Sequence, residues 1–414
     1  MRIQLWSSNY DPEPQGIAPL SAMLARGLQQ RGHEVSVVAA HPHYPEPAWG
    51  IRRRPYREVR EGVPVLRLPL WVGRDSGMQR IRQELSFTAV QALAAPFLGR
   101  PDAIVAVSPS FPALGVAMAT AKARKIPWVM WLQDIVTDGA ATTGQLDSAG
   151  TVLRAARRFE LATYRSAARV VAISDAFRDN LVAKGVDATH VTRIFNPTSR
   201  TADQPNDIAA LHGAAPQILA MGNIGHTQGL DKIVDVFQAS APLAEIGAEL
   251  TIAGSGVAAD DVRSRVASDR VHMPGVLYGD ELLPVLRSAS IGLVSQRGDI
   301  LEFNLPSKLM NYMTHGVPVI ASVNPASETA RIVRESGAGW VTDASNPTEF
   351  AETAARVLSD KDALVQASER GFAFAKSQFA PDTIAERFEA VLLEVTGHPP
   401  TPSSPTATAI AGAA

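Results

Sequence analysis

A helix start in the second half of the chain combines residue types suited to binding a phosphate. In the segment 304–321, a loop leads to a helix that begins near Pro306, and an apolar strand follows. Helix N-termini offer free N–H groups and the positive end of a dipole to an anion. Lys308 opposes that dipole, so an anionic ligand explains it better than helix stability does. We predict that Ser307, Lys308 and Asn311 contact a phosphate-bearing ligand, with an ordinary helix start as the alternative.

Glycine turns follow several apolar strands. The strand that ends near Ala220 runs into three glycines and then a helix from Leu230, and glycine lets a backbone approach a phosphate closely. The spacing differs from the Gly-x-Gly-x-x-Gly dinucleotide fingerprint, and such a loop alone is weak support for a site. The residues predicted to line these turns are Gly222, Asn223, Gly225, Gln228, Gly254, Gly256 and, at the first helix, Gly16.

Carboxylates and imidazoles in the first half are candidates for contact with a second substrate. Asp134 and Asp138 follow a strand end, where a carboxylate can accept a proton from a hydroxyl group. A helix cap or a turn is an equally good explanation for Asp134 and a better one for Asp138. His41 and His43 lie in a loop after the second strand, with no evident third ligand for a metal ion. We expect ligand contact at these histidines and no metal.

Composition limits the compartment and the class of protein. The chain is 46% apolar and 19% charged, enough apolar side chain for sizeable cores, and it has no cysteine. Disulfides, thiolate metal sites and a thiol nucleophile are therefore excluded, and a reducing compartment is expected. No apolar run approaches the roughly 18–20 residues of a membrane span. We predict that the nearest candidate, 85–98, is a buried helix, with a membrane-surface helix as the alternative.

Charge is distributed unevenly along the chain. Residues 1–200 contain 25 Lys and Arg against 16 Asp and Glu, a net of +9. The remaining residues hold 14 basic and 25 acidic side chains, a net of −11. A basic half predicts an anionic partner, and a solvated charged face is the alternative. The arginines cluster at positions 52, 53, 54, 57 and 60 and at positions 154, 157, 158 and 165.

Alternation of short apolar strands with helical segments predicts two α/β domains. The pattern starts again near residue 215. Two doubly wound, Rossmann-like domains in series would enclose a central cleft, with ligands at the carboxyl ends of the strands. We predict an N-terminal domain at 1–200, a C-terminal domain at 215–380, a helix at 381–397 that crosses back to the first domain, and a disordered tail at 398–414.

The ordered series of motifs resembles glycosyltransferase family 4, in particular its bacterial branch for colanic acid, O-antigen and capsule. The resemblance covers roughly residues 1–395. It implies the GT-B fold, a retaining transfer from a nucleotide sugar held by the C-terminal half, and an acceptor site that includes Asn9, Tyr10, Gln133 and His43. The matching segments are Asn9-Tyr-Asp-Pro-Glu, Gly32-His-Glu-Val, Gln133-Asp134, Ala172-Ile-Ser, Phe195-Asn-Pro, Gly222-Asn-Ile-Gly-His-Thr-Gln-Gly-Leu, Ala253-Gly-Ser-Gly, Pro306-Ser-Lys and Gly316-Val-Pro-Val.

The chain departs from the broader family at its charged positions. Many members carry two glutamates eight positions apart, where this chain has Phe303 and Asn311. The Arg and Lys that clamp the donor diphosphate correspond here to Asn223 and Gln228, and a common histidine corresponds to Gln133.

A nucleoside diphosphate brings about two negative charges, which some cation must offset. We therefore expect the clamp to have moved to Lys308 and Arg297, with Asn311 hydrogen-bonding the ribose. Together with Asp134, these two cations are the predicted catalytic residues.

We expect no Asp-x-Asp metal motif and therefore a metal-independent reaction. A retaining transfer without a clear nucleophile implies a front-face reaction, in which the protein supplies positioning and electrostatic stabilisation. No cofactor and no nucleic acid are expected. The expected partners are a nucleotide-diphosphate sugar, a lipid-diphosphate-linked glycan acceptor and an anionic membrane, which places the protein in the cytoplasm at the inner membrane face. One alternative is a non-catalytic GT-B subunit that binds nucleotide sugar or a partner enzyme. A nicotinamide-dependent dehydrogenase is the other.

Overall fold

The protein is described from a computed structural model, which places residues 1–45, 49–50, 52–73, 76–135, 151–198, 202–211, 215–277, 281–300 and 304–399. Two α/β units make up the chain. Unit 1 comprises Met1–Ala172, Leu181–Ile194 and the chain from Ile384, and unit 2 comprises Ile173–Asn180 and Phe195–Thr383. The candidates Asp138 and Phe303 and the predicted tail beyond residue 399 lie outside the described residues.

Unit 1 is built on an eight-stranded sheet with the strand order β3-β4-β2-β1-β5-β6-β7-β8. All neighbouring strands are parallel except the antiparallel pair β3 and β4. The central strands are apolar on both faces, as in Ala-Ile-Val-Ala-Val of β5, because helices cover both sides of a parallel sheet. The strands are β1 Arg2–Ser7, β2 Glu34–Ala40, β3 Tyr56–Arg60, β4 Val63–Leu68, β5 Ala103–Val107, β6 Trp128–Leu132, β7 Arg169–Ala172 and β8 Val191–Arg193.

Helices connect these strands, and the last helix of the chain returns to unit 1. Helix α5 is divided, since Asp175–Asn180 belongs to unit 2 and the residues from Leu181 belong to unit 1. The helices are α1 Ile17–Gln30, α2 Gly77–Ala94, α3 Phe111–Arg124, α4 Thr151–Ser166, α5 Asp175–Ala183 and α14 Pro381–Thr396.

Unit 2 has a six-stranded parallel sheet with the order β11-β10-β9-β12-β13-β14, which is a doubly wound arrangement. Its strands are β9 Gln217–Asn223, β10 Glu249–Ser255, β11 Val271–Gly275, β12 Ile291–Ser295, β13 Val319–Val323 and β14 Gly339–Asp343. Its helices are α6 Leu230–Ala239, α7 Ala241–Glu245, α8 Ala259–Arg265, α9 Leu282–Ser288, α10 Ser307–Thr314, α11 Glu328–Ser336, α12 Pro347–Leu358 and α13 Lys361–Gln378. The two α/β units with parallel sheets confirm the predicted fold class.

Two local predictions were wrong or incomplete. The segment 85–98 is helical through α2 and a short turn, but it is not buried, since Leu93 is 73% exposed and Phe97 86%. The apolar composition of this segment predicted that it is buried. In the structure, two of the three buried residues of α2 are glutamines. The hairpin of β3 and β4 was also missed, because arginine-rich β3 lacks an apolar run.

Candidate functional site

The predicted phosphate-binding segments of unit 2 lie at the carboxyl ends of β9, β10 and β12. Strand order reverses between β9 and β12, and ligands of open α/β sheets bind outside such a switch point. The two strands pair only at Ile218 and Leu219 of β9 with Ile291 and Gly292 of β12. Beyond that pair they diverge, which opens a gap at the end of the sheet.

Tyr312 of α10 fills this gap, a role that no local sequence pattern predicted. Its hydroxyl group donates to the carbonyl oxygen of Leu219 at 2.7 Å and accepts from the N–H of Met221 at 3.1 Å. The side chain is fully buried, and burial raises the pKa of its hydroxyl group. A Cβ at Gly292 would lie 2.4 Å from the Tyr312 ring, so glycine is required there. Tyr312 thereby ties α10 to the strand that carries the glycine loop.

The glycine loop, Gly222 to Gly229, joins β9 to α6. Gly222 has φ 103° and Gly229 has φ 60°, backbone conformations that favour glycine. The end of β12 holds the loop, since Ser295 Oγ donates to the carbonyl oxygen of Gln228 at 2.6 Å. The N–H of Arg297 donates to the carbonyl oxygen of Thr227 at 2.8 Å. The loop is therefore fixed against a central strand.

Gly254 and Gly256, both predicted to contact the ligand, have a packing role in the structure. Gly254 pairs with Gly222 across β10 and β9, and a Cβ at Gly254 would lie 1.8 Å from the Gly222 carbonyl oxygen. A Cβ at Gly256 would lie 2.3 Å from the carbonyl oxygen of Ile224. Close approach of the two backbone segments thus accounts for both glycines without a ligand. Their contact with a ligand stays a prediction.

The start of α10 lies beside the glycine loop, as the two motifs predicted. Lys308 Nζ donates to Gln228 Oε1 at 3.1 Å and links the helix start to the loop. Pro306 is the N-cap residue of the helix, and its side chain makes no cap hydrogen bond. Ser307, Lys308 and Asn311 are exposed or half-buried on one side of α10, while Leu309, Met310, Tyr312 and Met313 are buried. This arrangement suits an anion held by a cation at a helix N-terminus.

The two predicted clamp cations line different pockets. Lys308 borders a small pocket with Gly222, Asn223 and Gln228. Arg297 borders a cavity of about 760 Å³ that Gly225 and Gly229 also line. Asp299 accepts from Arg297 at 2.7 and 3.0 Å, and these hydrogen bonds raise the pKa of the exposed guanidinium. A carboxylate thus already offsets the Arg297 charge.

A buried carboxylate organises the candidate acceptor loop of unit 1. Glu13 Oε1 accepts from the backbone N–H groups of His43 and Tyr44 at 2.7 and 3.0 Å. Glu13 Oε2 accepts from Asn9 Nδ2 at 2.7 Å. Both neighbours of His43 Nδ1 are acceptors, the His41 carbonyl oxygen at 2.9 Å and Glu13 Oε1 at 3.2 Å, so Nδ1 carries the ring proton. Asn9 and His43 were predicted to contact the acceptor, whereas no role was predicted for Glu13.

Tyr10 lies beneath this loop. Its side chain is 1% exposed, and burial raises the pKa of its hydroxyl group to about 12. The guanidinium of the fully buried Arg67 lies 5.7 Å from the ring centroid, and it donates to the carbonyl oxygens of Ala40 and Asp11. Burial of this kind argues against the predicted acceptor contact and favours support of the loop.

The remaining candidates of unit 1 also lie at the carboxyl edge of its sheet. Gln133 and Asp134 follow β6, and both backbone N–H groups donate to Ser108 Oγ at 2.7 and 3.3 Å. Asp134 is exposed and Gln133 is buried. Gly16 precedes α1 with φ 66° and open space beside its Cα. These positions are compatible with ligand contact, which stays a prediction.

Within the described residues, no three His, Asp or Glu side chains form a group that could hold a metal ion. The sequence does contain one Asp-x-Asp pair, Asp360 and Asp362. In the structure Asp360 caps α13, where its Oδ1 accepts from the N–H of Ala363 at 3.0 Å. No helix in the described part of the chain is long and apolar enough to cross a membrane.

Sequence comparison places both units beside known enzymes. Residues 15–197 match the family described as Glycosyl transferase 4-like domain, and residues 215–360 match Glycosyl transferases group 1. WcaI of Escherichia coli (strain K12), named as a glycosyl transferase of colanic acid biosynthesis, is 26% identical over 351 residues, which are 80% of this chain and 86% of WcaI.

Solved structures with a similar fold include HepE of Anabaena in complex with UDP and glucose, with a TM-score of 0.64 at 15% identity. The match covers 95% of this chain and all of HepE. Sucrose-phosphate synthase of Thermosynechococcus elongatus has a TM-score of 0.70 at 16% identity, over 96% of this chain and 99% of that enzyme. At these identities the likeness establishes the GT-B fold.

Proposed function

The chain belongs to the glycosyltransferases with a Glycosyl transferase 4-like domain and a Glycosyl transferases group 1 domain, and we propose that it transfers a hexose-type sugar from a nucleoside diphosphate to a lipid-linked saccharide acceptor. The name of WcaI supports a place in cell-surface polysaccharide biosynthesis. Unit 2 holds the donor and unit 1 holds the acceptor.

The observation that carries the proposal is the junction of α10 with the glycine loop. Lys308 reaches Gln228 across this junction, and the N-terminus of α10 lies beside it. Lys308 is the cation that offsets the donor diphosphate. Arg297 has a smaller share, because Asp299 already balances its charge. Asn311, one turn further along α10, hydrogen-bonds the ribose hydroxyl groups without adding charge.

The proposed transfer is retaining and needs no metal ion. The acceptor hydroxyl oxygen forms a bond to the anomeric carbon on the face from which the diphosphate leaves. The bond between that carbon and the phosphate oxygen breaks, and the departing phosphate oxygen takes the proton of the acceptor hydroxyl group. Lys308 and the α10 N–H groups stabilise the charge that develops on the leaving group. Asp134 orients the acceptor hydroxyl group, because it is exposed at the end of β6.

Binding of nucleoside diphosphates tests the donor site directly. UDP, GDP and TDP are compared for the rise in melting temperature that they cause, since a ligand of the folded state stabilises it. Loss of a charge-assisted hydrogen bond costs about 1.5–3 kcal/mol, so Lys308→Ala should weaken the best nucleotide by roughly 10- to 100-fold. Arg297→Ala should have a smaller effect.

Lys361→Ala is the matched control, because Lys361 also lies in the first turn of a helix of unit 2. It should leave nucleotide binding unchanged. Equal affinity of Lys308→Ala and the parent protein would show that the phosphate site lies elsewhere. Donor binding without transfer to lipid-linked acceptors from a producing cell would instead favour a non-catalytic subunit.

A further inference from the structure

Helix α2 of unit 1 exposes most of its large apolar side chains to water. An amphipathic helix of a globular protein normally buries an apolar stripe and exposes polar side chains. The exposed apolar side chains of α2 are Met78, Ile81, Leu85 and Leu93. The buried residues of α2 are Gln83, Phe87 and Gln91, two of which are polar. We call the first set the inverted face; an apolar environment outside the protein would explain it.

An apolar groove of about 1080 Å³ continues the inverted face at the end of α2. Phe111 of α3 and Phe159 of α4 pack edge to face in its wall, with ring centroids 5.1 Å apart. A Cβ at Gly115 would lie 2.8 Å from the Phe159 ring, so a larger residue at this position would clash with the ring. Small side chains line much of the rest, among them Ala92, Ala119 and Ala156. The exposed Phe97 follows directly after Pro96 of the lining.

The helices around the groove are strongly basic. Helices α2, α3 and α4 carry eight Lys and Arg but only two acidic residues, Glu84 and Glu160. Glu84 accepts from Ser110 Oγ at 2.5 Å, and Glu160 is buried. The arginines at positions 154, 157 and 158 are exposed. A net of +6 beside an apolar surface complements a bilayer that carries anionic head groups.

We propose that the inverted face of α2 lies in the interface of an anionic membrane and that the groove holds one hydrocarbon chain of an anionic membrane lipid. The lipid-diphosphate acceptor of the proposed function is a lipid of this kind, and in that respect the proposal rests on the proposed function. A second copy of the chain is a poorer occupant. A two-fold dimer presents the same surface on both partners and would bring the two basic rims together.

Burial of Leu93 and Phe97 in the bilayer interface contributes about 1.5–3 kcal/mol each. Each nearby arginine contributes about 1 kcal/mol against anionic lipid. Replacement of both apolar side chains by glutamine should therefore weaken vesicle binding at least about tenfold.

Fluorescent labelling locates the contact without background, because the chain has no cysteine. Phe97→Cys carries an environment-sensitive dye on the proposed surface. Val257→Cys is the control, since Val257 is 82% exposed in unit 2. Vesicles of phosphatidylcholine with phosphatidylglycerol should shift the emission of the dye at position 97 to the blue and leave position 257 unchanged. Pure phosphatidylcholine and high salt should reduce the shift. An unchanged emission at position 97 would overturn the membrane contact.

Occupation of the groove is tested with monomeric dodecyl phosphate below its micelle concentration. Ala119 is exposed and lines the groove, so Ala119→Trp fills it without disturbing the core. Calorimetry should show binding to the parent protein and at least a tenfold loss in the variant. Ala244→Trp, at an exposed position of α7, should bind like the parent. Equal binding by Ala119→Trp would show that the groove is not the site.

Two further results would contradict the proposal. A dimer in sedimentation whose dye at position 97 is shielded before lipid is added would identify a second copy as the occupant. An Ala119→Cys thiol that resists labelling in a monomer would identify a segment of the chain itself as the occupant of the groove. The nucleotide assay is independent of lipid. Lipid binding without nucleotide binding would therefore reject the proposed function alone, and the converse would reject only this inference.

Discussion

Buried charge at Glu13 fixes the shape of the loop that follows β1. The carboxylate accepts from two backbone N–H groups and from the Asn9 amide, all between 2.7 and 3.0 Å. Ser8 Oγ donates to Asn9 Oδ1 at 3.1 Å and sets the orientation of that amide. His43 then has a defined ring proton at Nδ1. Glu13 is therefore a positioning residue for the two candidate acceptor contacts, Asn9 and His43.

Glu13→Gln should destabilise unit 1 by about 1–3 kcal/mol, because the new NH₂ group faces donors that have lost an acceptor. The fall in melting temperature measures this cost, and the affinity for acceptor should fall while the affinity for nucleoside diphosphate stays. Glu245→Gln, at an exposed position of unit 2, is the control. Wild-type stability and acceptor affinity in Glu13→Gln would remove Glu13 from this role.

His41 should make stability depend on pH. Its side chain is buried, and burial is the largest cause of its lowered pKa. Backbone hydrogen bonds at Arg52 and Arg54 raise that pKa, whereas the charges of Arg52 and Arg67 lower it further. The unfolded chain binds the proton more tightly, so the free energy of unfolding falls as pH decreases from about 6.5 toward the lowered value.

His41→Leu should flatten this fall, measured by denaturant unfolding across that pH range. Some slope should remain, because burial also lowers the pKa of His33. The control His226→Leu changes an exposed side chain. An unaltered slope in His41→Leu would mean that His41 keeps its ordinary pKa in the folded protein.

At the scale of elements, the gap between β9 and β12 is the feature that places the proposed donor site. Tyr312 of helix α10 fills this gap and bonds to β9. Lys308, in the first turn of α10, bonds to Gln228 of the glycine loop. The loop, the helix start and the strand ends are thereby held as one group. A small shift of α10 would move the predicted phosphate contacts together.

Tyr312→Phe should destabilise unit 2 by about 1–3 kcal/mol, because the Met221 N–H and the Leu219 carbonyl group lose a buried partner. Nucleotide affinity should fall with it, since the glycine loop follows Met221 directly. Thermal unfolding with and without the best nucleoside diphosphate separates the two effects. Tyr56→Phe is the control, because the half-buried Tyr56 of unit 1 makes its contacts with His41 and Arg52 through the ring, which phenylalanine retains. A Tyr312→Phe protein with unchanged stability would contradict the role of the hydroxyl group.

Local sequence predicted much of this unit and missed its central contact. The helix from Leu230 and the helix start near Pro306 were predicted to within a residue or two, because apolar runs and helix breakers are local signals. Tyr312 acts on a strand 93 positions earlier in the chain, and Glu13 acts on a loop 30 positions later. No periodicity encodes such pairs, since they depend on the folded sheet.

At the scale of the whole molecule, the last helix of the chain completes the first unit. Phe388 of α14 packs edge to face on Trp131 of β6, with ring centroids 5.1 Å apart. Glu389, which is buried, accepts from Arg31 Nε at 2.5 Å and lies 2.9 Å from His33 Nε2. These contacts join α14 to residues early in the chain. A fragment of residues 1–200 would therefore lack part of the core of unit 1.

Phe388→Ala should cost about 3–5 kcal/mol, because it leaves a cavity against Trp131. The loss should appear in unit 1, measured by hydrogen exchange of the β6 amides. Phe97→Ala removes the same side chain from an exposed position and should leave that exchange unchanged. Equal protection of β6 in both variants would show that α14 does not stabilise the sheet.

The return of α14 also sets the order in which the protein can mature on the ribosome. Domains usually fold in the order of their synthesis, the N-terminal one first. Here unit 2 has all of its residues once Thr383 has emerged, whereas unit 1 waits for the residues that follow Ile384. The nascent chain would therefore finish unit 2 first, and unit 1 would stay incomplete until the residues from Ile384 onward have emerged. Chaperone demand should accordingly centre on the N-terminal half.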